Sequence, residues 1–170
     1  MFWGVENIVQ VAFVVRDLDA AVRRWVSKGA GPFRDFGKID VPLYFRGDPV
    51  TVSLSLALGH CDGVQIELVQ LHDAEASVFR MSFPDAWPEE GLQHVGMIAA
   101  DYDRFVDSWA AEGKPLIMNG SFSGYRFGFI DTRDTLGFML EIFEKTPTLT
   151  AFFAEIANLK AGWDGESPYA

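Results

Sequence analysis

One stretch constrains this chain more than any other, because it is written twice. Residues 91–101 read GLQHVGMIAAD, and residues 8–17 read IVQVAFVVRD. Each is an apolar run interrupted early by a polar residue and closed by an aspartate. Gln10 stands where His94 does. Asp17 matches Asp101, Trp25 matches Trp109 and Gly29 matches Gly113, and every pair is 84 positions apart. A strand, a cap, a core aromatic and a stop glycine sharing one offset mark an internal duplication, so the chain has to fold as two copies of one unit.

The unit can be read locally. Residues 7–15 are short, apolar and rich in β-branched side chains, which predicts a buried strand. Asp17 is placed to cap a helix over 18–28, and Gly29 to stop it. Leu18, Ala21, Val22, Trp25 and Val26 fall at helical spacing and form its packing face. Trp25 and Trp109 therefore read as core rather than as part of a cofactor site. After a turn at Gly31-Pro32, a weak strand is expected over Val41 to Phe45, followed by a turn at Gly47-Asp48-Pro49. Residues 50–58, VTVSLSLAL, alternate: Val52, Leu54, Leu56 and Leu58 share one face, and Thr51, Ser53, Ser55 and Ala57 the other. Cys61-Asp62-Gly63 turns the chain into VQIELVQL, residues 64–71. Residues 1–71 thus form a β-α-β-β-β module.

Residues 72–90 are polar and broken by Pro84 and Pro88. They read as a linker that Phe79, Phe83 and Trp87 pin to the surface. The second module, 91–145, repeats the plan: a strand over 92–100, a helix over 102–112 capped by Asp101, strands near 115–122 and 124–131, and GFMLEIFE at 137–144. Its last strand aligns with VQIELVQ at an offset of 74 rather than 84. Hairpin loops absorb that shortening. In the tail, 146–170, Thr146 and Pro147 open a helix. Its apolar stripe is Leu149, Phe152, Phe153, Ile156 and Leu159, with Gly162 as the stop. That stripe must be buried on its own domain, on a partner subunit or over a cavity, and the last residues are expected to fray. The fold class is α+β.

Composition narrows the function. A formal net charge of −10 opposes binding to nucleic acid or an anionic membrane surface. The single cysteine, Cys61, rules out an internal disulfide and suits a reducing cytoplasm. The first apolar run follows Glu6 without a basic flank, unlike a signal peptide. No apolar stretch approaches the ~20 residues that span a bilayer. A cytoplasmic protein acting on a small molecule is expected.

Four polar residues stand inside apolar strands: Gln10, Glu67, His94 and Glu141. Taken singly, a strand histidine is usually a hydrogen-bonded core residue and a strand glutamate often faces water. Here they fall into two pairs of equivalent positions. A carboxylate buried in a strand is costly unless it is paired or bound to a cation. Two-fold packing of the modules would bring all four to one point, with Ala12, Val14, Gly96, Ile98, Met139 and Phe143 on neighbouring inward positions. Ala12 and Gly96 are expected to leave space beside the cluster. One imidazole, one amide oxygen and two carboxylates suit a single divalent cation, whose charge the carboxylates balance.

On QVAFVVRDLDAAVRRW, VQIELVQ, LQHVGMIAAD and FIDTRDTLGFMLEIFE, the chain resembles the vicinal oxygen chelate superfamily over residues 7–145. That superfamily includes glyoxalase I, methylmalonyl-CoA epimerase, extradiol dioxygenases and bleomycin-resistance proteins. The resemblance implies two βαβββ modules whose mixed sheets curl around a cavity. It implies one divalent metal ion (Zn, Ni, Co, Mn or Mg) held by Gln10, Glu67, His94 and Glu141, a set similar to that of one glyoxalase I subgroup. Bacterial glyoxalase I enzymes carry an arginine four residues after the first ligand and an asparagine four after the second. This chain has Val14 and Leu71 there, so glutathione-dependent glyoxalase chemistry is not expected.

The implied activity is that of a metal-dependent isomerase, epimerase or lyase. It would abstract a proton next to a chelated carbonyl of a small oxygenated substrate. Glu141 is the expected base, with Glu67 as the alternative. A metal-free sequestering protein of the bleomycin-resistance type is the competing reading, but a plain cavity has no need of four ligand-type residues. An extradiol dioxygenase would need two histidines and a carboxylate, and ranks last. His60 and His72, at a turn and in the linker, read as surface residues. Arg126 reads as a solvated strand arginine, although it could meet a substrate carboxylate. A homodimer is expected, with the tail helix offering an apolar stripe.

Overall fold

The computed structural model describes residues 5–72, 77–82 and 90–170. The first module is β1 (Val5–Val14), α1 (Leu18–Val26), β2 (Arg34–Phe45), β3 (Asp48–Cys61) and β4 (Val64–Leu71). A short helix α2 (Val78–Ser82) follows. The second module is β5 (Gly91–Ala99), α3 (Tyr102–Ala111), β6 (Leu116–Phe122), β7 (Tyr125–Ile130) and β8 (Met139–Glu144), and α4 (Pro147–Asn158) ends the series. These are the two expected βαβββ modules. Among the described residues no helix is long and apolar enough to cross a membrane.

The duplication extends to the hydrogen bonds. Asp17 Oδ1 accepts from the backbone of Ala20, and Asp101 Oδ1 accepts from that of Arg104. Both helices end alike: Gly29 and Gly113 have φ of +86° and +82°, and the next residue in each case donates to the carbonyl of Trp25 or Trp109. This is the glycine-closed ending in which a left-handed residue lets the chain satisfy the helix's last carbonyls. Helix α1 buries Leu18, Ala21, Val22 and Val26 against Ala57, Ile66 and Leu68. Helix α3 buries Tyr102, Phe105 and Trp109 against Met97, Ile130, Leu140 and Ile142.

Eight strands close into a barrel in the order β1-β4-β3-β2-β6-β7-β8-β5. In each module the first strand runs parallel to the last, β1 with β4 and β5 with β8. The modules join where β1 runs antiparallel to β5, and Val11 lies opposite Val95, its own equivalent 84 positions on. The pseudo-two-fold axis therefore passes between these two valines. Consequently Gln10 faces Gly96 and Ala12 faces His94. Of the three register shifts between β1 and β5, two fall at matching places: Val9 is the extra residue on β1 and Gln93 the extra residue on β5. The second junction, β2 with β6, is brief, pairing Tyr44 with Asn119 and Phe45 with Met118.

Three expectations need correction. The weak strand at Val41–Phe45 is the end of a longer strand that begins at Arg34, because β3 pairs along nearly all of it. The segment between modules is not only a surface linker: Val78 and Phe79 of α2 are buried in the barrel's interior cluster beside Val14, Leu54, Val69 and Met139. Phe83, Pro84, Trp87 and Pro88 lie outside the described residues. Finally, the tail does not fray. Phe33 donates its backbone N–H to the Pro168 carbonyl and accepts from that of Ala170, the Tyr169 hydroxyl donates to Asp19, and Trp163 packs on the α1 cluster. The stripe of α4 is buried on the chain's own barrel, with Leu149 and Ile156 fully enclosed. The expectation of a homodimer therefore no longer draws support from that helix.

Candidate metal centre

Period-two alternation places four polar residues on the inner face of four neighbouring strands: Glu67 on β4, Gln10 on β1, His94 on β5 and Glu141 on β8. The register repeats with the modules. Glu67 pairs across to Ala12, and Glu141 to Gly96, the equivalent of Ala12. All four sequence-predicted residues come together. His94 Nε2 lies 3.2 Å from Gln10 Oε1, 3.0 Å from Glu141 Oε2 and 3.8 Å from Glu67 Oε2. One ligand atom from each of Glu67, His94 and Glu141 can be chosen so that all lie within 4.8 Å of one another. Along β8 the inner face runs Met139, Glu141, Phe143. The cluster therefore sits between the apolar interior on the α2 side and a second apolar cluster of Tyr125, Phe143 and Leu149 under α4.

The expected free space at Gly96 is already in use. A Cβ there would stand 2.9 Å from Gln10 Oε1 and 3.0 Å from Phe143 Cε2. Gly96 lets the Gln10 amide lie across β5 and reach the imidazole. The His94 ring packs edge-on to Phe129 at 5.2 Å between centroids.

Sequence reasoning missed two further residues. Gln65 shares the inward parity of Glu67 on β4 and is 1 % exposed; its Oε1 accepts from Gln10 Nε2 at 2.7 Å. This bond turns the Gln10 oxygen toward His94, and Gln65 Nε2 has no partner of its own. The parity of residues 65, 67, 69 and 71 was an available signal. Gln93 is equally buried and lies against the other imidazole nitrogen, His94 Nδ1, at 2.5 Å.

Burial governs the protonation of the cluster. It raises Glu67 to about 7, offset by the nearby His94 and reinforced by Glu141. It raises Glu141 well above the usual carboxylate range. It lowers His94 to about 4, with Glu67 opposing. The imidazole is therefore neutral near pH 7. Its Nδ1 lies against Gln93, and its Nε2 faces the oxygens of Gln10, Glu67 and Glu141, where a carboxyl that keeps its proton can donate to the ring. Such a donor set has the chemistry of a cation site: nitrogen, amide oxygen and two carboxylates fit one divalent ion.

Other polar candidates lie elsewhere. Arg126 is on the outside, forked between Asp103 and Glu144 and stacked over Tyr102 at 4.6 Å. Its role is a surface ion-pair network. His60 belongs to β3 rather than to a turn, and His72 meets Ser55 at 2.7 Å at an exposed position.

Residues 9–129 match the sequence profile of the Glyoxalase/Bleomycin resistance protein/Dioxygenase superfamily. The chain belongs to this superfamily. The matched span takes in Gln10, Glu67 and His94, and Glu141 lies beyond it. No curated protein matches the chain. Among solved structures, the fold is similar to methylmalonyl-CoA epimerase from Mycobacterium tuberculosis, with 22 % identity, 89 % of this chain and 95 % of that one covered, and a TM-score of 0.58. It is also similar to a substituted Streptomyces coelicolor methylmalonyl-CoA epimerase in complex with 2-nitronate-propionyl-CoA (19 %, 84 % and 99 %, 0.53). A hypothetical protein from Bacillus halodurans shares the fold as well (16 %, 82 % and 94 %, 0.55). Within the superfamily's frame, Val14 and Leu71 are buried interior positions of this barrel, so the departures noted in the sequence fall on the inner surface.

Proposed function

We propose that this protein is a metal-dependent isomerase or epimerase that moves a proton at a carbon next to a carbonyl. The observation that carries the reading is the convergence of three oxygens on one imidazole nitrogen: Gln10 Oε1, Glu141 Oε2 and Glu67 Oε2 stand 3.2, 3.0 and 3.8 Å from His94 Nε2 inside the barrel. Gln10, Glu67, His94 and Glu141 would hold the ion. Once bound, a divalent cation supplies a Lewis acid for a substrate carbonyl oxygen and so acidifies the neighbouring C–H.

The chain's own residues do the rest. Glu141 takes the proton, since a carboxylate desolvated among apolar side chains is a stronger base than one in water. Glu67 occupies the equivalent station on the other flank of the β1–β5 pair, on β4 where Glu141 is on β8. With one carboxylate on each flank, a proton removed by one can be replaced by the other from the opposite side, which inverts the carbon. Phe127, Phe129 and Met139 keep the neighbourhood apolar and limit water. Support for an epimerase within the isomerase class comes from the similar solved structures, whose names are those of methylmalonyl-CoA epimerases.

The test is solvent exchange. Protein reconstituted with zinc, cobalt or manganese is incubated in heavy water with methylmalonyl-CoA and a panel of α-oxygenated acids and thioesters, and deuterium at the acidic carbon is followed by NMR. Exchange that requires the metal and stops on chelation is the expected result. Absence of divalent metal binding, or ligand binding that is tight and metal-independent without exchange, would return the protein to the sequestering class.

A further inference from the structure

Gln93 lies outside the four-residue cluster, yet it is 1 % exposed and touches it. It is the extra residue at the β5 register shift, and such bulges re-aim a side chain that regular pairing would point elsewhere. Its amide bridges two elements. Gln93 Nε2 donates to the Val78 carbonyl at 3.3 Å and to Ser82 Oγ at 3.1 Å, both on α2, and its Oε1 lies 2.5 Å from His94 Nδ1.

The polarity of this relay is fixed at one end. A backbone carbonyl can only accept, so the amide must turn its nitrogen to Val78. Ser82 Oγ donates its own proton to the same carbonyl at 3.0 Å, and so it too accepts from Gln93. Only the amide oxygen remains for His94, and Nδ1 must then carry the ring proton. Without the Gln93 oxygen, Gln10 Oε1 and an ionised Glu141 Oε2, 3.2 and 3.0 Å from Nε2, would draw the proton to that nitrogen. The hydrogen bond at one ring nitrogen decides which one is free.

We infer that Gln93 is a positioning residue that holds His94 in the Nδ1–H tautomer, and that helix α2, through Gln93, thereby sets the affinity of the centre for a divalent cation. The second clause rests on the metal reading given above, whereas the first concerns the metal-free protein alone. In metal sites a histidine's outer hydrogen bond fixes ring orientation and tautomer, and its loss typically costs about 10–100-fold in metal affinity.

The experiment reads the tautomer directly. Long-range 1H–15N correlation spectra of metal-free, 15N-histidine-labelled protein are recorded at mildly alkaline pH. The chain has three histidines, and His94→Ala assigns the signal. Wild-type His94 should be protonated on Nδ1. Gln93→Leu, close to isosteric but without the oxygen, should move the proton to Nε2, and Gln93→Glu should restore Nδ1–H. Zinc titrations of the same proteins should show Gln93→Leu about 10–100-fold weaker than wild type, with Gln93→Glu recovering most of the loss. A wild-type ring protonated on Nε2 would overturn the inference without any variant. So would a Gln93→Leu protein with unchanged tautomer and unchanged zinc affinity. If wild-type protein bound no zinc, the metal reading and the affinity clause would both fall, and the tautomer shift would still decide whether Gln93 positions the ring.

Discussion

Val9 and Gln93 occupy the same station in the two modules and do opposite work. Each is the extra residue at the β1–β5 register shift of its module, and each faces the helix that follows a module's last strand. Val9 packs on the apolar cluster of Phe143 and Leu149 under α4, a helix of twelve residues. Gln93 makes directed hydrogen bonds to α2, a helix of five residues that Arg133 also holds, through the Met81 carbonyl. Apolar contact is non-directional and contributes stability. A hydrogen bond has polarity, and at Gln93 that polarity is passed to an imidazole. The same divergence runs along the neighbouring positions: Gln10 faces Gln65, whereas His94 pairs across to Met139. Duplication preserved the backbone device, and side-chain chemistry made one end of the barrel a seal and the other a line to the site.

The largest expected effect separates the two carboxylates. Glu141→Gln keeps a ligating oxygen but no useful base, and should lower deuterium exchange about 10²–10⁴-fold. Glu67→Gln should leave exchange of one epimer in place while inversion stops, as chiral analysis of the recovered substrate would show. Equal losses in both variants would mean that the flanks are not specialised.

The equivalent pair Gln10 and His94 comes next. His94→Ala removes the only nitrogen ligand and should weaken zinc binding beyond the ~100-fold upper end for loss of an outer partner, and Gln10→Ala should weaken it less. Burial holds Glu67 near 7, so its proton competes with the metal. Zinc affinity should fall as pH drops below that value, and calorimetry in buffers of different ionisation enthalpy should detect proton release. Similar zinc affinities for the two variants would deny the histidine its special place.

The caps should differ in kind. Leu149→Ala should cost ~2–5 kcal/mol in unfolding free energy, measured by urea denaturation, while zinc affinity stays near wild type. A zinc defect as large as that of Gln93→Leu would erase the contrast between the ends. The smallest effect tests sameness. Asp17→Ala and Asp101→Ala each delete one N-cap hydrogen bond and should each cost about 1 kcal/mol. A clear inequality would show that the two helices carry different loads.

Features encoded within a few residues were legible in the sequence. Caps at Asp17, Asp101 and Thr146, stops at Gly29 and Gly113, and the alternation of β3 all depend on local geometry. Residues 34–40 of β2 were not legible, because Gly37, Lys38 and Asp40 carry little strand preference and pairing with β3 overrides them. In the site, Gln10, Glu67, His94 and Glu141 stood out as polar residues inside apolar runs. Gln65 obeyed the same parity but lay near a strand end, where polarity is ordinary. Gln93 has the parity of the outer face, and only a bulge that depends on pairing with β1 turns it to use. Nor did the amphipathic stripe of α4 say where it would be buried, since a stripe specifies a face and not its partner.

The return of residues 163–170 to the first module has a consequence for synthesis. Phe33 receives its backbone partners from Pro168 and Ala170, and Asp19 receives the Tyr169 hydroxyl. At ~5–20 residues per second, the ribosome takes several seconds or more to travel from one to the other. During that interval the first module has its strands and α1 but lacks the segment that completes its outer layer. The nascent chain thus carries an unfinished surface on its first module until residues 163–170 emerge.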